Sequence, residues 1–424
     1  MGQDRTMISK PRESCRVCGS KNLLPILSLG NQFVTNFVEK PEGNYPKGPL
    51  DLVLCNVKDG GCGLLQLKNT VERDVMYRKY WYKSGISTTM VKALANIAAA
   101  IEKTLPLSRG DIVVDIGAND GTLLRQYKTP ELTKVGFEPS NLWRLALEGN
   151  TKIIHDYFNY ASFSKEFGAR KAKAITSIAM FYDLEDPNTF VEDVNSCLDK
   201  NGVWIIQMNY LGSMIENNTF DNISHEHLEY YSLLSLSYLL EKHKMQAFDV
   251  ELNDVNGGSF RIYVKHKNAN VSPTPGSQER LRIQKEYEQR MGLDDVRVYS
   301  KFARRIEENR ARLLAFLKNE VKKGKKIFIY GASTRGLVVL QYYGIDQRLI
   351  SGAADMNADK WGKYIVGTGI PIMSVDEYRQ KKPDFLFVLP YHFLDEIKAQ
   401  EEEFLERGGK MIVAIPDFTV ISKP

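Results

Sequence analysis

Three groups of residues in this chain have types and spacings that can do chemistry. Cys15-Arg16-Val17-Cys18 is a Cys-x2-Cys knuckle followed by Gly19, and Cys55 and Cys62 form a second pair followed by Gly63. Four thiolates make a soft tetrahedral site suited to Zn²⁺, and a short Gly/Pro-rich segment needs such a staple to fold. The gap in the second pair is wide for a knuckle, and Lys58-Asp59-Gly60-Gly61 reads as an insertion in it. Four unrelated free thiols are the alternative. The second group is Asp115-Ile116-Gly117-Ala118-Asn119-Asp120-Gly121-Thr122, a strand end, a glycine turn and a helix start. Gly117 and Gly121 let the backbone approach a ligand closely, with Asn119 between them. Downstream, Gly136-Phe137-Glu138-Pro139 ends a second strand, and Glu138 stands 23 residues after Asp115. An acid there can accept hydrogen bonds from a ribose diol. The turn lacks the Gly-x-Gly-x-x-Gly of dinucleotide folds and the Gly-Lys-Ser/Thr of a P-loop, neither of which a nucleoside without a pyrophosphate requires. A plain strand-to-helix turn with a capping aspartate is the alternative. The third group is Ser224-His225-Glu226-His227. An imidazole beside a carboxylate suits general acid/base work. Metal binding is disfavoured, because histidines at i, i+2 point to different faces of a helix, unlike the i, i+4 pair of His-Glu-x-x-His. Polar helix-capping residues are the bland alternative.

These groups need a framework. The 424 residues are 43% hydrophobic and 26% charged, which excludes a disordered chain, a collagen and a coiled-coil rod. Fifty-seven Lys and Arg against 52 Asp and Glu leave a net charge of +5, too weak an excess to demand an anionic partner. Five cysteines are too few for a disulfide scaffold, and Cys197 reads as a core residue of a helix. No run of 18 apolar residues marks a membrane span, and the polar N-terminus lacks the apolar stretch of a signal peptide; its Met1-Gly2 start with Thr6 matches a myristoylation pattern only weakly. The expected location is the cytoplasm.

Residues 1–78 hold the cysteine pairs and show little helical periodicity. Residues 79–270 open on a helical pattern that runs to Leu105 with Met90, Leu94, Ile97 and Ile101 on one face. Short apolar runs then alternate with helical stretches, and Ile112–Ile116, Val135–Glu138, Ala174–Ile178 and Val203–Met208 read as strands of a doubly wound sheet. Residues 271–424 begin in a polar linker, continue in two charged helices at 277–291 and 296–322 broken near Gly292, and restart the α/β alternation at Lys326–Tyr330, Leu349–Asp355, Phe385–Leu389 and Met411–Ile415. The fold class expected is α/β in three parts: a small zinc-binding domain, a doubly wound domain, and a second Rossmann-like domain.

The glycine turn with its downstream acid resembles the S-adenosylmethionine site of class I methyltransferases. More broadly, the chain resembles the C-methyltransferases that act on nucleotide-linked deoxysugars, over nearly its whole length. The four cysteines match that family's zinc domain. Tyr80-Trp81-Tyr82-Lys83-Ser84-Gly85-Ile86-Ser87 is similar to its Tyr-x-Tyr-x-Ser-Ser-x-Ser entry to the central domain, and Phe220–Ser232 to its Phe-Asp-x-Ile-Tyr-His-Glu-His segment. Asn256–Arg261, Tyr330–Gly336, Lys360–Ile372 and Leu389–Phe393 match further segments. The resemblance implies a methyl donor held by Asp115, Gly117, Asn119, Gly121, Glu138 and Pro139. It implies a structural zinc on Cys15, Cys18, Cys55 and Cys62. It implies carbon methylation beside a sugar ketone, with His227 as the leading base, Glu226 as its partner or a substrate ligand, and His225 as second candidate. The acceptor would be a small nucleotide-linked sugar, with no nucleic-acid or membrane partner, and the protein a monomer or dimer.

Three positions depart from that pattern. Ser224 stands where the family has tyrosine, Gly85 where it has serine, and Tyr391-His392 where it has Trp-Asn. With Ser224 in place, a hydroxyl for the enolate must come from elsewhere, and Tyr82, Tyr80, Tyr230 and Tyr231 are the candidates. In the last domain Gly331–Gly336 follows a strand, with Asp355 ending the next one. This is a degenerate dinucleotide-type loop, and the resemblance implies a role in holding the sugar nucleotide, with Arg335 and Lys360 either facing its phosphates or solvated. The rival readings are an O- or N-methyltransferase on another acceptor, an RNA methyltransferase gripping its substrate through the zinc segment, and a binding protein without catalysis.

Overall fold

The computed structural model describes residues 9–34, 37–77, 80–149 and 151–423. The Met1–Thr6 stretch lies outside them. Among the described residues no helix is long and apolar enough to cross a membrane.

The middle of the chain forms a seven-stranded sheet in the order Met245–Asn253, Ser259–His266, Leu198–Asn209, Ala172–Ile178, Ile112–Ile116, Thr133–Phe137, Thr151–Ile154. Ser259–His266 runs antiparallel to both neighbours, and the remaining pairs are parallel. Ile112–Ile116 is buried along its whole length, as an apolar run covered on both faces must be. Strand order reverses beside it, so its carboxyl end faces the crevice where open α/β sheets bind ligands. The expected helical face is present as Thr88–Thr104, with Met90, Leu94, Ile97 and Ile101 buried, Ser87 capping its start and Leu105 ending it before Pro106. Cys197 ends the helix Pro187–Cys197 and is fully buried.

The helices Ser277–Met291 and Val296–Lys322 fall where the charge pattern places them. Gly292 in the left-handed region closes the first, and the Asp295 side chain caps the second. They lead into a second sheet ordered Ile372–Met373, Gly352–Ala354, Ile327–Tyr330, Phe385–Val388, Lys410–Val413, Thr419–Ile421, parallel except for its last strand.

The N-terminal part is a β-structure that the sequence reading did not resolve into strands. Leu23–Phe33, Lys47–Cys55 and Leu65–Leu67 pair antiparallel, and the sheet then accepts a fourth strand, Glu229–Tyr230, from the middle of the chain. In turn, Phe37–Val38 pairs with Tyr364–Ile365 of the last part of the chain in a separate two-stranded sheet. One apolar core joins Leu52, Leu54 and Leu67 to Phe220, Ile223 and Leu228 and to Ile329, Leu337 and Ile365. The N-terminal part therefore clamps both others rather than hanging from them.

The cysteine pairs close this clamp. All four sulfurs lie within 4.8 Å of one another, with Cys15 and Cys62 at 3.6 Å and Cys18 and Cys55 at 3.4 Å. Sulfurs held ~2.3 Å from one zinc in a tetrahedron stand about 3.8 Å apart, so the set fits Zn²⁺ with no fourth position left open. The wide gap is absorbed by a single 3₁₀ turn, Val57–Asp59, capped by Asn56 and closed by Gly60 at φ 78°. Gly61 has no room for a side chain there: a Cβ would lie 2.6 Å from Cys55 Sγ. Removing zinc with a chelator, or Cys18→Ser, should lower the Tm by more than about 5 °C in scanning calorimetry. An unchanged melting curve after complete metal loss would contradict the staple.

Candidate active site

A cavity of ≈ 1460 Å³ opens at the carboxyl edge of the central sheet, lined by residues of all three parts of the chain. A single drug-sized ligand occupies roughly 300–1,000 Å³, so two molecules fit side by side.

On one side lies the glycine turn. Asp115 is buried at its strand end, accepts a 2.6 Å hydrogen bond from Thr176, and is pushed up to about 7 by burial, despite that bond, with Glu138 and Asp120 adding to the rise. Gly117 sits at φ 72° and lines the cavity with Ala118 and Asn119. Asn119 is itself left-handed, at φ 53°. Its backbone N–H donates to Glu138 at 2.7 Å, and Glu138 also accepts from the Ser140 N–H at 2.8 Å. Both carboxylate oxygens are thus fixed while lone pairs stay open toward the cavity. Pro139 lines the same wall. Gly121 does not: a Cβ there would lie 2.9 Å from Ala146 Cα, so this glycine serves helix packing. Gly85 likewise sits beside this turn, donating to Asp120 at 2.7 Å. The strap that carries it, Tyr80–Ser87, is pinned by Asn119, which receives the Ser84 N–H and donates to the Tyr82 carbonyl.

Across the cavity stands the His-Glu-His segment. His227 Nδ1 lies 2.7 Å from the Asn222 carbonyl, and a carbonyl only accepts, so Nδ1 carries the proton and Nε2 keeps its lone pair. The ring packs edge-on against Tyr182 at 4.4 Å. Burial, reinforced by the positive charge of Arg335, pushes His227 down to about 4, so it is neutral at pH 7. Glu226 lines the cavity beside it, and its carbonyl accepts from the Tyr77 hydroxyl. His225 faces away, and its Nε2 meets the Gly48 carbonyl of the N-terminal sheet at 2.9 Å. The two rings are committed to separate carbonyls, which accounts for the i, i+2 spacing. Of the four tyrosines considered, Tyr80 and Tyr82 line the cavity, whereas Tyr230 and Tyr231 are buried behind it on Asn222 and Glu229. Asn209 reaches the cavity at the end of its strand, but Tyr210 turns inward to Gln284.

The last domain closes the third wall. Arg335 is neither solvated nor free. Its guanidinium donates to Asp221 at 2.8 Å, the Asn256 carbonyl at 2.6 Å and the Tyr391 hydroxyl at 2.8 Å. Lys360 is also buried at its tip, bonded to Asp355 and the Ala332 carbonyl. The glycines of the second loop pack against the chain: a Cβ on Gly331 would lie 2.6 Å from Pro390 and one on Gly336 2.6 Å from Leu389. Sequence reasoning missed Asp221 and Asp183. Nothing in the sequence spacing marks Asp221 as the partner of an arginine 114 residues away, and Asp183 sits in a turn of no recognisable pattern.

Comparison with known proteins supplies the family. Models described as a zinc binding domain, a methyltransferase domain and a C-methyltransferase C-terminal domain match residues 15–77, 91–245 and 254–416. The chain is 31% identical over 421 residues to C-methyltransferase NovU of Streptomyces niveus, covering 98% of each. Among solved structures it resembles the plantazolicin methyltransferase BpumL with S-adenosylhomocysteine at 14% identity, over 43% of this chain and 88% of that one (TM-score 0.35). It also resembles the 1,6-didemethyltoxoflavin-N1-methyltransferase of Burkholderia thailandensis at 11% identity, over 42% and 78% (TM-score 0.31). The chain belongs to the C-methyltransferase family. It is an S-adenosylmethionine-dependent enzyme with a structural zinc site.

The Arg335–Asp221 pair is nearly solvent-free, and removing one partner leaves an uncompensated buried charge. Arg335→Met should destabilise the protein by about 3–5 kcal/mol in denaturant titrations, and adding Asp221→Leu should restore most of that loss. A double variant no more stable than the single one would contradict the pairing.

Proposed function

We propose that this enzyme methylates the carbon beside a ketone in a nucleotide-linked deoxysugar, through an enolate that His227 generates. The observation that carries the reading is the 2.7 Å contact of His227 Nδ1 with the Asn222 carbonyl, which leaves Nε2 as the ring's open nitrogen in the same cavity as the glycine turn and its acid. Further support comes from the likeness to a C-methyltransferase along the whole chain.

When bound, S-adenosylmethionine supplies the electrophile, a sulfonium methyl that the enolate carbon takes with loss of S-adenosylhomocysteine. The residues we assign to hold it are Asp115, Gly117, Asn119 and Glu138 on the cavity wall, with Pro139 beside them. Glu138 offers the ribose diol two oxygens already fixed by backbone amides. The Asp115 carboxyl and the left-handed Asn119 shape the turn around the rest of the nucleoside. For the acceptor, His227 Nε2 takes the proton from the carbon next to the ketone, and the electron pair left behind moves onto the carbonyl oxygen as the C=C bond forms. Negative charge on that oxygen is met by the nearby Arg335 field and by a hydroxyl, for which Tyr82 and Tyr80 are the cavity-lining candidates. Glu226 binds the acceptor beside the base. His225 we assign to positioning, since it ties the segment to Gly48.

The test is solvent exchange on a nucleotide-linked 4-keto-6-deoxyhexose. In D₂O without donor, the wild type should exchange the hydrogen at carbon 3, and His227→Ala should slow both exchange and methylation by about 10²–10⁴-fold. Methylation without exchange would point to oxygen or nitrogen transfer instead. Glu138→Gln should weaken S-adenosylhomocysteine binding about tenfold by calorimetry. Because the base is already neutral at pH 7, kcat should stay flat from about pH 8 to about pH 6 and fall only in more acidic solution, when Nε2 takes a proton. A half-maximal point near the ordinary imidazole value would contradict the environment described for His227.

A further inference from the structure

Ten buried side-chain atoms among the described residues have no hydrogen-bond partner, and three belong to residues lining the large cavity: Asp183 Oδ1, Ser224 Oγ and His392 Nδ1. They come from distant parts of the chain. Asp183 is in the turn after the strand Ala172–Ile178, Ser224 in the His-Glu-His segment, and His392 in a 3₁₀ turn of the last domain. Buried polar atoms in a native fold have partners, so three orphans converging on one cavity call for a ligand.

The ligand's chemistry follows from what these groups can do. Of the cations that line the cavity, Arg335 is bonded to Asp221, Asn256 and Tyr391, Lys360 to Asp355 and Ala332, Arg12 to Glu185 and Lys10 to Glu72, and Arg73 lies over the Tyr157 ring. The three orphaned groups are themselves neutral. Ser224 has a hydroxyl. Burial and the Arg335 charge keep His392 unprotonated. Burial and the neighbouring Glu226 raise Asp183 well above the usual carboxyl range, so it keeps its proton. The Ser224 hydroxyl and the protonated Asp183 carboxyl each donate and accept, and His392 Nδ1 does one or the other according to its tautomer, so the set suits ring hydroxyls, which do both. A phosphate or carboxylate only accepts, and an ammonium group only donates.

We propose that Asp183, Ser224 and His392 form the specificity set of the acceptor site and read the hydroxyl groups of the sugar ring that is methylated. The assignment rests on the keto-sugar reading above. A site that hydrogen-bonds a substrate hydroxyl rejects the deoxy analogue strongly, because its own buried groups are then left unpaired.

The experiment compares kcat/KM for a dTDP- or UDP-linked 4-keto-6-deoxyhexose that keeps both ring hydroxyls with its 2-deoxy and 3-deoxy analogues. The wild type should prefer the parent over at least one analogue by about 100-fold or more. Asp183→Leu, Ser224→Ala and His392→Phe should each shrink a preference about tenfold, by slowing the parent and leaving the corresponding analogue unchanged. Asp183→Asn, which still donates and accepts, should retain the preference. Calorimetric binding of S-adenosylhomocysteine by each variant confirms the fold. If every variant slows parent and analogues by the same factor, or if the wild type does not discriminate, the assignment is overturned. If the wild type binds S-adenosylhomocysteine but methylates none of the probes, the keto-sugar reading falls and takes this assignment with it.

Discussion

Placing the guanidinium of Arg335 inside the protein is the constraint around which the site is arranged. A buried charge of this kind carries a desolvation cost of several kcal/mol unless it is paired and fully hydrogen-bonded. Here Asp221 supplies the countercharge, and the Asn256 carbonyl and the Tyr391 hydroxyl take further donors. Those partners come from the segment that carries His227, from the loop before the strand Ser259–His266, and from the last domain. Satisfying one charge therefore fixes the His-Glu-His wall, the Asn256 loop and the last domain relative to each other. The same charge reaches His227 and adds to the burial that keeps its ring neutral.

A second anchor acts from the opposite side. Glu229–Tyr230 completes the N-terminal sheet, the Leu67 N–H donates to the Leu228 carbonyl, and His225 bonds to Gly48. The His-Glu-His segment is thus held by a domain that the four cysteines close. The zinc site thereby bears on the cavity wall although none of its four cysteines lines the cavity. The small β-domain grips the segment that carries His227.

What could be read in the sequence was local. The glycine turn, its preceding strand and the acid after the next strand lie within about thirty residues, and each follows from chain geometry alone. The long helices were legible to their ends because Gly292 and Asp295 are strong stop and start signals. The cysteine pairs named their own metal chemistry. What could not be read depends on contacts across the chain. A two-residue strand such as Glu229–Tyr230 has no periodicity to detect. Arg335 reads as either phosphate-facing or solvated until its partner Asp221 is brought beside it. Gly121 and Gly331 look like ligand-facing glycines in sequence, and only the neighbouring Ala146 and Pro390 show that packing requires them.

The proposed base role requires that the fold hold His227 as a neutral ring with Nε2 unprotonated. Nitrogen NMR on protein labelled with ¹⁵N-histidine measures this directly, with His227→Gln to assign the signal among six histidines. The ring should be neutral at pH 7 and protonated on Nδ1, with the Nε2 shift of an unprotonated imidazole nitrogen and no titration between about pH 6 and pH 8. A His227 signal that titrates within that range, or that carries its proton on Nε2, would contradict it.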